Sequence, residues 1–174
     1  MVAIGLLLAA CTPTHNWRQA RHESAPGRLL LPCKPEKAVR EIPLLGPGQP
    51  AVELSMLSCD VGDQTFAWGA VRVPDGATPA VALHAWRRAG WISLQQTVPV
   101  DQAVPAGWQQ VVAQVPGSAG AERWTGAGRN HRGATIAVHV QWAYTPGWLH
   151  QVALYGGAPS PDVVSTLFES LDLR

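Results

Sequence analysis

Cys11, Cys33 and Cys59 supply the thiols of this 174-residue chain, and six histidines, His15, His22, His84, His131, His139 and His150, supply imidazoles for metal binding or proton transfer. Their spacing argues against a metal centre. Neither His-x-x-x-His nor Cys-x-x-Cys occurs, and a tetrahedral site needs converging ligands. No metal and no cofactor are expected. Nucleophilic catalysis has little more support: there is no Gly-x-Ser-x-Gly, and the side chains of Ser58, Cys59 and Asp60 would alternate across a strand. Cys59 with a histidine partner would make a thiol hydrolase, but the nearby Cys33 favours a structural role. Glu53, Asp60 and Asp63 read as strand-face and turn residues rather than an acid–base pair. Gly126-x-Gly128 is too short to be a phosphate loop. Arg129 and His131, with Arg123 and Arg132 close in sequence, could form a small cationic anion-binding loop, although a solvated loop explains them more simply. No catalytic residue is assigned.

Eight tryptophans are many for a chain of this size. Trp86 fits a helix stripe and Trp142 a strand's core face, so packing accounts for those two. Trp91, Trp108, Trp124 and Trp148 fall near loops or element ends. Gathered on the surface, they would make an aromatic binding site for a glycan or peptide.

The elements that must position these residues follow from periodicity and breakers. After a proline-rich tether, the folded domain is expected to begin at Arg28. Leu29, Leu30 and Leu31 make a short strand ended by Pro32 and Pro35. A second strand is expected over residues 39–44, and a turn over residues 46–50. Residues 52–59 alternate, but the apolar parity switches between Met56 and Leu57, which predicts a bulge. A turn over residues 60–63 leads into a strand at 65–73 with Phe66 and Trp68 on one face. Thr78 and Pro79 open a helix with the stripe Ala82, Leu83, Trp86 and Ala89, ending near Gly90. Strands are expected over residues 98–104, 110–115 and 121–128. The clearest alternation is residues 135–155, a hairpin turning at Thr145-Pro146-Gly147. The expected register sets Tyr144 opposite Trp148 and Trp142 opposite His150, with His139 and His150 on opposite faces. Ser160 and Pro161 open a closing helix with the stripe Val164, Leu167, Phe168 and Leu171, expected to cover the sheet's apolar face.

Composition narrows the function classes. Charged residues make up 14% of the chain and the net charge is +1. A nucleic-acid partner, or attraction to an acidic membrane by charge alone, is not expected. The residues beyond the tether suit one domain with a sizeable core.

Residues 2–10 form an apolar run closing in Leu8-Ala9-Ala10-Cys11. This resembles the lipobox of bacterial lipoproteins, in which the cysteine is diacylated and becomes the first mature residue. The run is about half of the roughly 20 residues needed to span a bilayer. The resemblance implies a signal peptide at 1–10, a lipidated Cys11 with a tether at 11–27, and a single domain at 28–174. No basic residue precedes the run, so the true start is expected upstream of Met1. Thr12, by resemblance to enterobacterial sorting, favours the outer membrane with the domain facing the periplasm. In that compartment Cys33 and Cys59 could pair as a disulfide or remain two small buried thiols.

Leu30-Leu31-Pro32-Cys33-Lys34-Pro35, Thr65-Phe66-Ala67-Trp68-Gly69, the segment from His150 through Gly156, and the ending Leu167-Phe168-Glu169-Ser170-Leu171 resemble a family of uncharacterised bacterial lipoproteins and exported proteins. The resemblance spans residues 16–174. It implies an α+β fold of PsbP-like type, a twisted antiparallel sheet flanked by two helices. The expected role is a non-catalytic envelope protein that docks an envelope protein or a cell-wall component. The alternatives are an envelope hydrolase using a Cys/His site and a carrier with an apolar cavity between helix and sheet.

Overall fold

The computed structural model describes residues 14–46, 48–98 and 104–174. Cys11, with its signal-like run, and most of the strand expected at 98–104 lie outside these residues. The architecture is α+β. Strands β1 (Arg18–Ala20) and β2 (Leu29–Leu31) pair as a two-stranded ribbon. Strands β3 (Glu36–Ile42), β4 (Val52–Val61), β5 (Gln64–Arg72), β6 (Gln109–Val111), β7 (Gly120–Arg129), β8 (Thr135–Thr145) and β9 (Trp148–Gly156) form a second, antiparallel sheet. Its order is β3-β4-β5-β9-β8-β7-β6. Helices α1 (Pro79–Ser93) and α2 (Pro161–Glu169) flank it. Among the described residues, no helix is long and apolar enough to cross a membrane.

Both helices start as their sequences dictate. The hydroxyls of Thr78 and Ser160 accept from the backbone N–H groups of Val81 and Val163, and a proline follows each cap. The helix α1 continues past Gly90 to Ser93, which carries Trp91 into the interior.

The central strands of the large sheet, β5, β9 and β8, are buried on both faces, and this corrects several expectations. Phe66, Trp68, Val152 and Leu154 pack on one side beneath the ribbon and α2. Val71, Val138, Val140, Trp142 and Leu149 pack on the other beneath α1. The β8–β9 register therefore differs by one residue from the expected one: Thr145 is opposite Trp148, Ala143 opposite His150 and Trp142 opposite Gln151. The two-residue turn Pro146-Gly147 replaces the expected three-residue turn. His139 and His150 consequently share a face, and Trp142 points at α1 rather than α2. A one-residue slip ordinarily exposes a core face to water. Here both faces carry apolar side chains, so alternation alone did not select the register.

The parity switch in β4 has the same origin. Pairing with β3 and β5 runs through Met56 and Leu57 without an extra residue, so there is no bulge. Val52 and Leu54 pack into the α1-side core, whereas Leu57 and Cys59 pack into the other, because different layers cover the two ends of the strand.

Close packing explains two glycines. A Cβ on Gly126 would lie 2.5 Å from the Trp108 ring, and one on Gly69 would lie 3.2 Å from that of Trp86. Gly126-x-Gly128 thus gives flat floor to the indole and to Leu94.

The segment expected to be a tether is folded from Asn16 onward. The Asn16 N–H donates to the Pro32 carbonyl at 2.8 Å, and the Trp17 ring meets Phe66 edge-on at 6.4 Å. Residues from Asn16 thus pack against the same core as the segment after Arg28. Arg28 exchanges backbone hydrogen bonds with Asp172, whose carboxylate also receives the guanidinium groups of Arg28 and Arg174. These bonds, Arg174 first, hold the Asp172 carboxyl well below the usual range.

Cys33 and Cys59 are joined as a disulfide, with their Cα atoms 6.0 Å apart and a sequence separation of 26. It ties the segment after β2 to the far end of β4. Replacing both cysteines by serine is expected to lower unfolding free energy by about 3 kcal/mol. Urea unfolding of the oxidised and reduced protein checks this, and the reduced wild type should resemble the double variant. Gly126→Val is expected to cost about 1–3 kcal/mol by overpacking the Trp108 ring, measurable in the same experiment.

Candidate functional site

The side of the sheet that faces the ribbon is laid out in rows across β4, β5, β9 and β8. Cys59, Phe66, Leu154 and His139 form one row, and Leu57, Trp68, Val152 and Gln141 the next. Then come Ser55, Ala70, His150 and Ala143. Beyond them, Arg72 is paired with Trp148 and Trp148 with Thr145, while Glu53 lies two residues outward from Ser55 on β4. The apolar rows are covered by the ribbon and α2. The outermost row is left open.

That opening is a groove of about 470 Å³. Glu53, Ser55, Ala70, Arg72 and Trp148 line its sheet side, and Ser24 also contributes. Leu45, Val52 and the loop residues 49–51 and 73–75, with Pro50, Pro74 and Asp75, complete the lining. Glu53, Arg72 and Asp75 have no ion pair or side-chain hydrogen bond among the described residues. Their polar groups remain available to a ligand.

Under the groove lies a histidine cluster. His22, in the segment joining β1 to β2, places its ring edge-on to Trp68 at 4.4 Å, and His150 lies 6.0 Å from Trp68 on the sheet. His22 Nδ1 is 3.0 Å from Ser55 Oγ. Glu23 beside it forms an ion pair with Lys37 on β3. Burial pushes the His22 imidazole down to about 4. Burial, with the nearby His22, pushes His150 down to about 3. Both ring nitrogens of His150 lack a hydrogen-bond partner among the described residues. Ser55 and His22 have the separation of a nucleophile and its base. The contact ties the segment to the sheet.

The predicted residues are dispersed. Trp91 is fully buried, 4.5 Å from Trp108 and 5.4 Å from Trp142, and Trp108 is also interior. These two pack in the core beneath α1; they do not form a surface patch. Trp124 is half-buried on β7 against the same core. Trp148 alone of the four borders the groove. Arg129 and His131 are exposed in the β7–β8 turn. The Arg129 guanidinium donates to the Gly133 carbonyl, while Asn130 Oδ1 accepts from the N–H groups of Arg132 and Ala134. This loop is closed upon itself rather than arranged around an anion.

Cys59 is in the disulfide, and the shallow hollow beside it is lined by Lys34, Glu36, Ser58 and Asp60, with no histidine among its described lining residues. His139 lies elsewhere, 6.5 Å from the Phe168 ring, its imidazole lowered by burial and then by Arg123. Arg123 stacks over that ring at 5.3 Å, and burial lowers its guanidinium. Among the described residues no group of three or more metal-binding side chains converges.

Sequence reading singled out Trp148 but missed Glu53, Arg72, Asp75 and His22 as groove and support residues. The only available signal was two charged residues at the ends of otherwise apolar strands, too common to single out.

Because the folded imidazoles of His22 and His150 are depressed, the unfolded chain binds more protons below about pH 6.5. Stability is expected to be full above that pH and to fall as pH drops towards 4, by up to about 1.4 kcal/mol per pH unit for each histidine. His150→Leu should flatten this dependence in urea titrations between pH 7 and pH 4. An unchanged slope would contradict the assignment.

No protein-family model matches the chain, and no curated protein sequence matches it either.

Proposed function

We propose that this protein is a lipid-anchored, non-catalytic binding protein of the bacterial cell envelope. Cys11 would carry the anchor, and a PsbP-like α+β domain would face the periplasm, from the outer membrane. Its groove is the face offered to an envelope protein or cell-wall component. The observation that carries this reading is the open row of Glu53, Arg72 and Trp148, a recess whose charged side chains are unspent beside an aromatic ring. The Cys33–Cys59 bond supports an oxidising compartment and occupies the thiol that a Cys/His hydrolase would need. The carrier alternative receives less support, because Trp86 and Trp91 fill the seam beneath α1, and Leu167 and Phe168 the seam beneath α2.

Intact mass of the protein from its native membrane fraction tests the anchored reading. The expected species begins at Cys11, carries acyl chains, and has two thiols that alkylate only after reduction. Cys11→Ser should release it from the membrane fraction. An unacylated chain retaining Met1, with free thiols at Cys33 and Cys59, would overturn the proposal.

A further inference from the structure

We propose that the groove is a saccharide-binding site in which the Trp148 indole stacks on a pyranose ring and Glu53, Arg72 and Asp75 hydrogen-bond its hydroxyl groups. This rests on reading the groove as the binding face. Topology narrows the ligand first. The strands beneath the groove, β4, β5 and β9, each have a hydrogen-bonded neighbour on both sides. Their backbone ladders are occupied, so an extended peptide has no strand edge there to join. Recognition must come from side chains and loops.

Those side chains suit a polyhydroxylated ring. Arg72 lies directly across from Trp148 on the neighbouring strand, so a flat multi-donor group and a flat apolar ring sit side by side. Glu53 and Asp75 supply acceptors, and Ser24 and Gln49 add polar groups at the wall. The groove carries one cation and two carboxylates, a balance that favours neither a strongly anionic nor a strongly cationic ligand. A neutral ligand with alternating donors, acceptors and apolar C–H faces matches it. The volume of about 470 Å³ falls within the roughly 300–1,000 Å³ range of small-molecule sites. That size suits a short saccharide end. Arg72 and Trp148 stand on interior strands, which fix their spacing before a ligand arrives.

The test is saturation-transfer NMR on the disulfide-intact full chain, in a sugar-free polyoxyethylene detergent, with chitotriose and maltotriose as probes. Transfer to the pyranose ring protons is expected for at least one. Trp148→Ala should weaken binding about tenfold or more, Arg72→Gln should weaken it several-fold, and Trp148→Phe should retain most of it. An unchanged unfolding midpoint in Trp148→Phe shows that the fold survives substitution there. Absence of transfer from both saccharides, or binding indifferent to Trp148→Ala, would overturn the inference. Binding of the pentapeptide Ala-Glu-Lys-Ala-Ala instead, with the same Trp148 dependence, would also overturn it while leaving the groove as a binding face. If neither the saccharides nor the pentapeptide binds, the groove reading falls as well. The intact-mass result on the anchor is independent of all these outcomes.

Discussion

Burial of the central strands β5, β9 and β8 on both faces is the constraint from which most of the structure follows. A sheet with one wet face can be held by a single apolar layer. Here α1 covers one side and α2, with the β1–β2 ribbon, the other, so nearly every residue of β8 and β9 meets another layer. The tryptophans serve this arrangement. Trp91, Trp108 and Trp142 fill the α1 seam, where close contact is possible because Gly126 removes a side chain from the strand beneath Trp108. Trp68 fills the opposite seam beneath His22.

Two-sided burial also defines where the covering stops. The ribbon, α2 and the chain end account for the apolar rows through Trp68. The segment carrying His22 covers the next row, and the row of Glu53, Arg72 and Trp148 is left at the margin. The disulfide and the Asp172 clasp with Arg28 and Arg174 fasten the covering layer away from the groove. The groove is thus a consequence of incomplete covering of a rigid sheet. Its polar side chains occur where water was always going to reach the strand ends.

The thiol with nucleophilic potential is spent in a disulfide, and the most buried histidines have been driven to their neutral forms by desolvation. His22 packs against Trp68, and its segment also contributes Ser24 to the groove wall. At the groove, the Trp148 ring lies beside charged side chains that have no ion pair among the described residues.

The amino-acid sequence determined the elements themselves. Thr78-Pro79 and Ser160-Pro161 cap their helices through local backbone chemistry, and Gly62 at the β4–β5 turn takes the positive φ that its place requires. The alternation of residues 135–155 sufficed for a hairpin, and the Cys33/Cys59 pair was visible as a possible bridge. Register, burial of Trp91 and the inclusion of residues 16–27 were decided only by tertiary structure. Period-2 alternation identifies faces but not which one is covered, and with both covered a one-residue slip carries no sequence signature. Likewise Glu53, Arg72 and Trp148 are far apart in the chain. Pairing of β5 with β4 and β9 brings them together, through backbone hydrogen bonds that their side-chain identities do not encode.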